Sequence, residues 1–362
     1  MSQPLMFWLV LSFLCFPFLV LSQDEEKPEM AAASVTGSIL LDGHLAEADW
    51  EQAQLVDAFK TVVPDEGGTP SGRTTMRVLT HPRYLLIGVE CFDEDPSGIV
   101  NFSKLRDSDL EDEDHIRIVI DPFLDGQSGI ILAVNASGAR YDALVSNRGE
   151  SENEDWDAIW EAKAVITDSG WTVEIRIPVQ SFSFNKGLRT WGFNLERRIQ
   201  RYQETIRWAN IRRDQWFIQT SRAGLLTNLP EFSYGVGLNI RPSLIGTIDQ
   251  EVGEEDELIF DPSLTISQRL GANVTATITA NTDFAETEVD TRQTNLTRFP
   301  LFFPEKRAFF LEGADIFEFG FGLSRNIIPF FSRRIGLYDG NEVPITVGGK
   351  LNGRLGKTAF GA

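Results

Sequence analysis

Strict alternation of apolar and polar residues over residues 270–281 is the feature that most restricts how this chain can fold. Apolar side chains occupy every second position, namely Leu270, Ala272, Val274, Ala276, Ile278 and Ala280. The positions between them hold Gly271, Asn273, Thr275, Thr277, Thr279 and Asn281. Because successive side chains of a β-strand point to opposite faces, this period of two predicts a strand with one apolar face and one polar face.

The same alternation recurs in residues 238–244, 258–267 and 345–352. A strand of a transmembrane barrel needs about ten residues, with apolar side chains towards lipid and polar side chains towards the interior. A soluble antiparallel sheet with one wet face has the same period and is the alternative. The polar positions hold mainly Thr, Asn, Ser and Gly rather than Lys and Glu, which favours the barrel.

The number of such strands is too small for a complete barrel. Residues 233–362 contain about five or six of them, whereas closed outer-membrane barrels have at least about eight. An open barrel would leave unpaired backbone groups in lipid. We therefore expect residues 233–362 to be the N-terminal part of a barrel domain, and the chain to be a fragment of a longer polypeptide.

A long connection separates the strand at 270–281 from the next candidate strand near residue 328. Its residues 295–317 combine six phenylalanines with the charged residues Glu305, Lys306, Arg307 and Glu312. Unpaired burial of such charges would cost several kcal/mol. We predict a large loop that folds over or into the barrel interior, where these charges pair. Its phenylalanines either pack within the loop or have a role in transport through the barrel.

The N-terminal sequence predicts an export signal. An apolar run from Leu5 to Leu21 contains Pro17, which argues against a spanning helix, and small side chains precede Gln23. We assign residues 1–22 to a signal peptide and residues 23–33 to a linker.

Residues 34–230 have a different pattern, with short apolar runs separated by turn-forming pairs such as Asp125-Gly126, Ser137-Gly138 and Ser169-Gly170. Strands of that length and spacing predict a β-sandwich. The mature chain keeps one cysteine, Cys91, within an apolar run, so we expect a core side chain and no intrachain disulfide.

Net charge restricts the partners. A formal charge of −20 opposes nucleic-acid binding and favours a neutral or cationic ligand. Six carboxylates lie within residues 107–114, where the simplest interpretation is a solvated loop. Asp109, Asp112 and Asp114 are weak candidates for calcium ligands, because the segment lacks the ordered spacing of a dedicated calcium loop. We expect no other cofactor.

Several stretches, taken in order, resemble a known family. They are LDGHL at 41–45 with Trp50, residues 84–93, IVIDPF at 118–123, Trp156-Asp157 with Trp160, residues 170–178, 190–194, 281–290 and 295–317, and SRRIG at 332–336. Together they resemble bacterial outer-membrane proteins whose N-terminal domain is similar to carbohydrate-binding module family 9 and precedes a barrel domain of unknown function. The resemblance implies an all-β fold, with a β-sandwich followed by the first antiparallel strands of an outer-membrane β-barrel.

For the sandwich, the resemblance implies sugar recognition between two aromatic rings, with polar groups on the sugar hydroxyls. One ring corresponds to Trp208, whereas the position of the other, near Glu111, holds no tryptophan. Arg207, Arg117 and Glu111 are the nearby candidates for hydrogen bonds to the sugar. From their local sequence, Trp156 and Trp160 are further candidates, with a structural turn as the alternative.

Three functions are consistent with these residues. The first is carbohydrate binding by a sandwich joined to an outer-membrane barrel, with the sandwich on the periplasmic side and the bilayer and other envelope proteins as partners. The second is an accessory role in hydrolysis of O-glycosyl bonds, although no carboxylate pair stands out as catalytic. The third is a docking or assembly domain that binds no sugar.

Overall fold

The computed structural model describes residues 27–233, 235–249, 257–271, 273–282, 305, 307–317, 330–338, 341–343, 345–355 and 358–362. The predicted signal peptide and Lys306 lie outside these residues. The described chain is nearly all β-structure, as the sequence predicts. Its helices are α1 (Ala48–Gln52), α2 (Ala308–Leu311) and α3 (Ala314–Phe317). Single 3-10 turns occur at Pro96–Gly98, Asn147–Gly149, Val179–Ser181, Gln200–Tyr202, Thr220–Arg222 and Ser332–Arg334.

Among the described residues, no helix has the length and apolar character needed to cross a membrane.

The strands between residues 29 and 227 form two sheets packed face to face. They are β1 (Glu29–Ala31), β2 (Ala33–Ser34), β3 (Lys60–Val63), β4 (Thr74–His81), β5 (Tyr84–Phe92), β6 (His115–Asp121), β7 (Gly129–Asn135), β8 (Arg140–Ser146), β9 (Ser151–Asn153), β10 (Glu161–Thr167), β11 (Gly170–Pro178), β12 (Trp191–Ile199), β13 (Glu204–Arg207) and β14 (Gly224–Thr227). One sheet has the order β1-β14-β12-β6-β7-β8-β9, with β13 also paired with β12 and β3 paired with β13, and the other has the order β10-β11-β5-β4-β2. The predicted β-sandwich is confirmed.

Alternating side chains of facing strands fill the space between the two sheets. Ile116, Ile118 and Ile120 of β6 and Val173 and Ile175 of β11 are all fully buried in one core. Each such side chain contributes about 1.5–3 kcal/mol when it leaves water. The tryptophans predicted for the core, Trp171, Trp191 and Trp50, are at most 1% exposed. Cys91 lies in the same core, where burial raises the pKa of its thiol to about 12.

Part of the stretch that the sequence assigns to a linker belongs to the sandwich. β1 pairs in parallel with β14, and β2 pairs in parallel with β4. Met30 of β1 is fully buried in the sandwich core. The residues from Glu29 onward therefore contribute one strand to each sheet of the sandwich.

Five of the remaining seven strands form a separate antiparallel sheet, and the other two form a short pair. They are β15 (Leu238–Asp249), β16 (Glu257–Arg269), β17 (Val274–Thr282), β18 (Leu337–Tyr338), β19 (Asn341–Glu342), β20 (Ile345–Leu355) and β21 (Thr358–Gly361). The sheet has the order β15-β16-β17-β20-β21, while β18 and β19 pair with each other. We call it the C-terminal sheet. Its strands include every segment in which the sequence shows strict alternation.

The two faces of the C-terminal sheet have unusual environments. Ile278 is 62% exposed, whereas its neighbours Thr277 and Thr279 are each 1% exposed. Further large apolar side chains on the exposed face are Leu238, Ile240, Leu244, Ile248, Leu258, Phe260, Leu264, Ile266 and Val347. On β17 the polar face is covered by other parts of the chain, whereas Asn239 and Arg241 on β15 are exposed. The predicted alternation is confirmed, and its orientation is the reverse of a soluble sheet, which buries its apolar face.

Candidate functional site

Trp208 does not form the open stacking platform that the resemblance implies. Its side chain is 6% exposed and packs edge-to-face on Phe193, with ring centroids 6.1 Å apart. Gly224 lies against the ring, where a methyl group would come within 2.6 Å of it. A sugar needs an open ring face for stacking, so Trp208 has a core role in this conformation.

Arg207 and Arg117 are engaged by other side chains of the sandwich. Arg207 Nε donates to Glu196 Oε2 at 2.6 Å, and Arg117 Nη2 donates to Glu152 Oε1 at 2.9 Å. The guanidinium carbon of each arginine lies 5.7 Å from the ring centroid of Phe217. These cation–π contacts and ion pairs occupy the groups that we expected to bind sugar hydroxyls.

The acidic loop before β6 does not bring its candidate calcium ligands together. Asp109 accepts the backbone N–H of Glu111, Asp112 accepts from Gln200, and Asp114 is buried and accepts the backbone N–H of Val100. Glu111 itself is exposed. Calcium binding by Asp109, Asp112 and Asp114 stays a prediction.

A different set of three carboxylates lies close together in the described part of the chain. One oxygen from each of Asp107, Asp142 and Asp157 falls within 4.8 Å of the others. The guanidinium of Arg106 pairs with all three, at 2.6 Å from both Asp142 and Asp157 and 3.3 Å from Asp107. Burial raises the pKa of Asp142, although Arg106 acts in the opposite direction. Arg106 therefore supplies the cation that this cluster requires.

The last two predicted ligand residues differ in their surroundings. Trp160 is 2% exposed and belongs to the sandwich core, with the guanidinium of Arg140 over its ring at 5.5 Å. Trp156 is only partly buried and lines a cavity. Of the six residues predicted to bind ligand, Trp156 is the one that the structure places at this cavity.

The cavity lies between the sandwich and the polar face of the C-terminal sheet and has a volume of about 220 Å³. We call it the junction cavity. The sandwich contributes Pro122, Phe123, Ser128, Gly129, Ile130, Leu144, Asp155, Trp156, Asp157, Ile159 and Gln180–Ser183. The C-terminal sheet contributes Asn239, Arg241, Ser243, Ser263, Thr265, Ser267, Arg269, Asn273, Thr275, Thr279 and Asn352–Arg354. Phe309, Leu311, Glu312, Gly313 and Ile316 complete the lining.

Strand register arranges the polar residues of the C-terminal sheet in cross-strand rows. Arg241, Thr265 and Thr279 are opposite one another on β15, β16 and β17. Within this row, the hydroxyl oxygens of Thr265 and Thr279 are 2.9 Å apart, within hydrogen-bond distance. A second row carries Ser267 and Thr277, whose hydroxyl oxygens are 3.1 Å apart. Alternation in the sequence therefore becomes a surface of hydroxyl groups at one wall of the cavity.

Two arginines of the C-terminal sheet join it to the sandwich. Arg354 on β20 donates to Asp125 Oδ2 at 2.8 Å, and its guanidinium carbon lies 4.0 Å from the ring centroid of Phe123. Arg269 at the end of β16 donates to the carbonyl oxygen of Phe182 at 2.8 Å. These contacts hold the two walls of the junction cavity against each other.

One amide of the cavity lining has unused hydrogen-bonding capacity. Asn352 is 5% exposed, and its Oδ1 has no hydrogen-bond partner in the part of the chain that the structure describes. Its amide lies against Gly313, which has a φ of +73° and no side chain to displace it. Since nearly all buried acceptors have a partner, Asn352 Oδ1 calls for a donor from water or from a ligand.

The segment 307–317 borders one side of the cavity through residues such as Phe309, Leu311 and Glu312, whereas most of the long loop predicted between residues 281 and 328 lies outside the described residues. Arg307 is 4% exposed, and its guanidinium makes two bonds of 2.8 Å to Glu305. It also donates to the carbonyl oxygens of Ser332 and Ile335. Of the four charges predicted to pair, Glu305 and Arg307 pair with each other, Glu312 accepts from Ser267, and Lys306 lies outside the described residues.

Sequence reasoning missed most of the junction cavity, because its lining comes from segments more than 100 residues apart. Phe123, Asp125 and Arg354 carry no shared motif, although Asn352 belongs to an alternating strand. The structure also exposes Trp216, 58% accessible, which we did not consider as a candidate from the sequence. Trp216 does not line the junction cavity.

Comparison with known proteins gives similarity to separate parts of the chain. Residues 237–346 match the family model described as a domain of unknown function (DUF5916), which covers less than half of the chain. No curated protein matches the sequence.

Among solved structures, a carbohydrate-binding module of family 9 from Caldicellulosiruptor kristjanssonii in complex with cellotriose is similar at 16% identity and a TM-score of 0.40, over 55% of this chain and 93% of the module. A family 9 module from the same organism in complex with glucose is similar at 16% identity and a TM-score of 0.41, over 58% of this chain and 99% of the module. A putative carbohydrate-binding protein from Bacteroides uniformis gives 9% identity and a TM-score of 0.46, over 56% and 99%.

Proposed function

We propose that this chain binds a carbohydrate in the junction cavity while its C-terminal sheet is held in an outer membrane. The observation that carries the binding proposal is the lining of the cavity. It combines the rings of Trp156 and Phe123 with hydroxyl, amide and guanidinium groups. Few classes of ligand need both kinds of surface.

A sugar has this mixed chemistry. One face of a pyranose is apolar and stacks on aromatic rings, while its hydroxyls need hydrogen-bond partners once they leave water. The buried Oδ1 of Asn352 provides an acceptor for one such hydroxyl. The volume of about 220 Å³ is smaller than the range of about 300–1,000 Å³ typical of ligand pockets, which favours a mono- or disaccharide or the end of a longer chain.

Calorimetric titration of the full chain in detergent against a panel of neutral oligosaccharides tests the proposal. We expect saturable binding that falls about tenfold or more in Trp156→Ala, because stacking on an aromatic ring is lost. Trp216→Ala is the matched control, since Trp216 is exposed and lies outside the cavity, and it should bind as the parent does. Absence of binding across the panel, or equal loss in both variants, would contradict a sugar site in the junction cavity.

The membrane location rests on a separate observation, the exposed apolar face of the C-terminal sheet. A row such as Ile278 with Ile266 and Ile240 is not covered by any part of the chain that the structure describes, and each of the three side chains is at least 36% exposed. An apolar surface of this extent on a protein favours contact with lipid. We place the sheet in the outer membrane and the sandwich on its periplasmic side.

Fractionation of bacterial envelopes tests this location. The protein should appear in the outer-membrane fraction, and its mobility on a gel should change when the sample is boiled. Recovery in the soluble fraction, or identical mobility with and without boiling, would contradict it.

The burial of Trp208, which closes the expected stacking platform, favours a second candidate function, that of a docking or assembly domain. Such a sandwich keeps the fold and binds protein instead of sugar. The calorimetric panel separates the two candidates, because the docking domain predicts no saturable sugar binding by any variant.

A further inference from the structure

The segment 307–317, which we call the strap, lies across the polar face of the C-terminal sheet. Phe309 and Leu311 of α2 are buried there at 9% and 3% exposure. The ring of Phe317, at the end of α3, packs on Gly361 of β21. The strap therefore crosses several strands and forms one wall of the junction cavity.

A single lysine holds the middle of the strap. Lys350, on β20, is 8% exposed, and its Nζ donates to the carbonyl oxygens of Phe309 and Glu312. The ammonium also lies 5.1 Å from the ring centroid of Phe309. Lys350 occupies the same cross-strand row as Thr277, so its position on the polar face follows from strand register.

The strap needs such an external contact. α2 and α3 have four residues each, far fewer than the roughly 12–15 that an isolated helix needs to be even marginally stable in water. The last four carbonyls of a helix have no partner within it. Lys350 satisfies the carbonyl of Phe309, the second of the four residues of α2, and that of Glu312, which follows the helix.

The bond from Lys350 to the carbonyl of Glu312 sets the position of one cavity residue. The carboxylate of Glu312 lines the junction cavity and accepts from Ser267 Oγ at 3.3 Å. Because Lys350 holds the backbone of that residue, the direction of the Glu312 carboxylate depends on it. A carboxylate in that place accepts hydrogen bonds from sugar hydroxyls.

We propose that Lys350 is a positioning residue for ligand recognition: it clamps the strap so that Glu312 presents its carboxylate to the sugar. The inference rests on the proposed carbohydrate binding. It adds a recognition residue, Glu312, and a device that keeps this residue in place without touching the ligand.

The test combines two measurements on the full chain in detergent, affinity for the tightest oligosaccharide of the panel and hydrogen exchange of peptides from the strap. In Lys350→Met we expect strap exchange to rise about tenfold or more, exchange in the sandwich to stay unchanged, and affinity to fall. Lys350→Arg keeps the cation, so its strap exchange and its affinity should both lie between those of Lys350→Met and the parent. Glu312→Gln should weaken binding while strap exchange stays as in the parent.

Lys163→Met is the control, because Lys163 is exposed on β10 of the sandwich and should alter neither measurement. Unchanged strap exchange in Lys350→Met would overturn the clamp. Faster strap exchange with unchanged affinity would overturn the positioning role. If Lys350→Met does not assemble, Glu312→Gln decides: binding as tight as in the parent would overturn the inference. If the parent binds no sugar while Lys350→Met still loosens the strap, the proposed function fails and the clamp stands.

Discussion

Replacement of Ile278 by lysine separates a lipid-facing sheet from a sheet in water. Ile278 is the middle residue of β17 (Val274–Thr282) and is 62% exposed on the apolar face. In water, a substitution at such a position changes the free energy of unfolding by no more than about 0.5 kcal/mol. At this exposure Ile278 loses little beyond its contact with the cross-strand neighbour Ile266.

In a bilayer the same substitution has a large effect. A lysine on the lipid face of a barrel strand costs about 2–4 kcal/mol near the membrane midplane and about 0–1 kcal/mol near the interfaces. The central position of Ile278 in its strand favours the larger values. Since about 1.4 kcal/mol corresponds to a factor of ten, we expect the ratio of folded to unfolded protein to fall by about 30-fold to 1,000-fold.

Ser243→Lys is the matched control. Ser243 is half-buried on the polar face of β15 and lines the junction cavity, so a lysine there points away from lipid. The full chain is folded into vesicles of a short-chain phosphatidylcholine and unfolded in urea at equilibrium. Tryptophan fluorescence then gives the free energy of unfolding of each variant. We expect a loss of at least about 2 kcal/mol for Ile278→Lys and less than about 1 kcal/mol for Ser243→Lys. Equal losses, or no loss for Ile278→Lys, would refute the assignment of the apolar face to lipid.

Three further predictions concern the sandwich. Burial raises the pKa of Asp121 to about 6, so between about pH 4 and pH 6 the folded protein binds a proton that the unfolded protein lacks. This group therefore lowers the free energy of unfolding by up to about 3 kcal/mol as pH rises through that window. Urea unfolding across pH 4–7 should show a smaller decrease for Asp121→Asn, and an identical pH profile would contradict the shift. Arg106→Met should destabilise the sandwich by about 3 kcal/mol, because it leaves the fully buried Asp142 without its cation; a change in the midpoint of urea unfolding below 0.5 kcal/mol would contradict this. Gly170→Ala should lower the melting temperature by several degrees, since Gly170 has a φ of +136° and a methyl group there would overlap the carbonyl oxygen of Cys91; an unchanged calorimetric transition would argue against the turn geometry.

Much of the fold follows from patterns that are local in the sequence. Alternation over residues 270–281 predicts both β17 and the opposite environments of Thr277 and Ile278, because successive side chains of a strand point to opposite faces of the sheet. The short apolar runs before residue 230 likewise predict sandwich strands. The pairing of Glu305 with Arg307 could be predicted because the two residues are close in sequence.

The site could not be predicted in the same way. Trp208 follows Arg207 directly after β13, a local pattern that an exposed platform and a core residue share, and its packing on Phe193 decides between them. The junction cavity depends on where the sandwich meets the sheet. Its two arginine contacts, Arg354 with Asp125 and Arg269 with Phe182, join residues with no periodic relation. Only the assembled fold brings them together.

The outward apolar face of the C-terminal sheet also has a consequence for biogenesis. Before it reached the proposed bilayer, the chain would carry β15, β16 and β17 as long strands rich in Ile, Leu and Thr, and such segments pair readily with other chains in water. The polar residues of these strands are mostly uncharged, so few charged side chains oppose that aggregation. On the way to the proposed outer-membrane location, the chain would therefore need a chaperone that covers these strands until they are inserted.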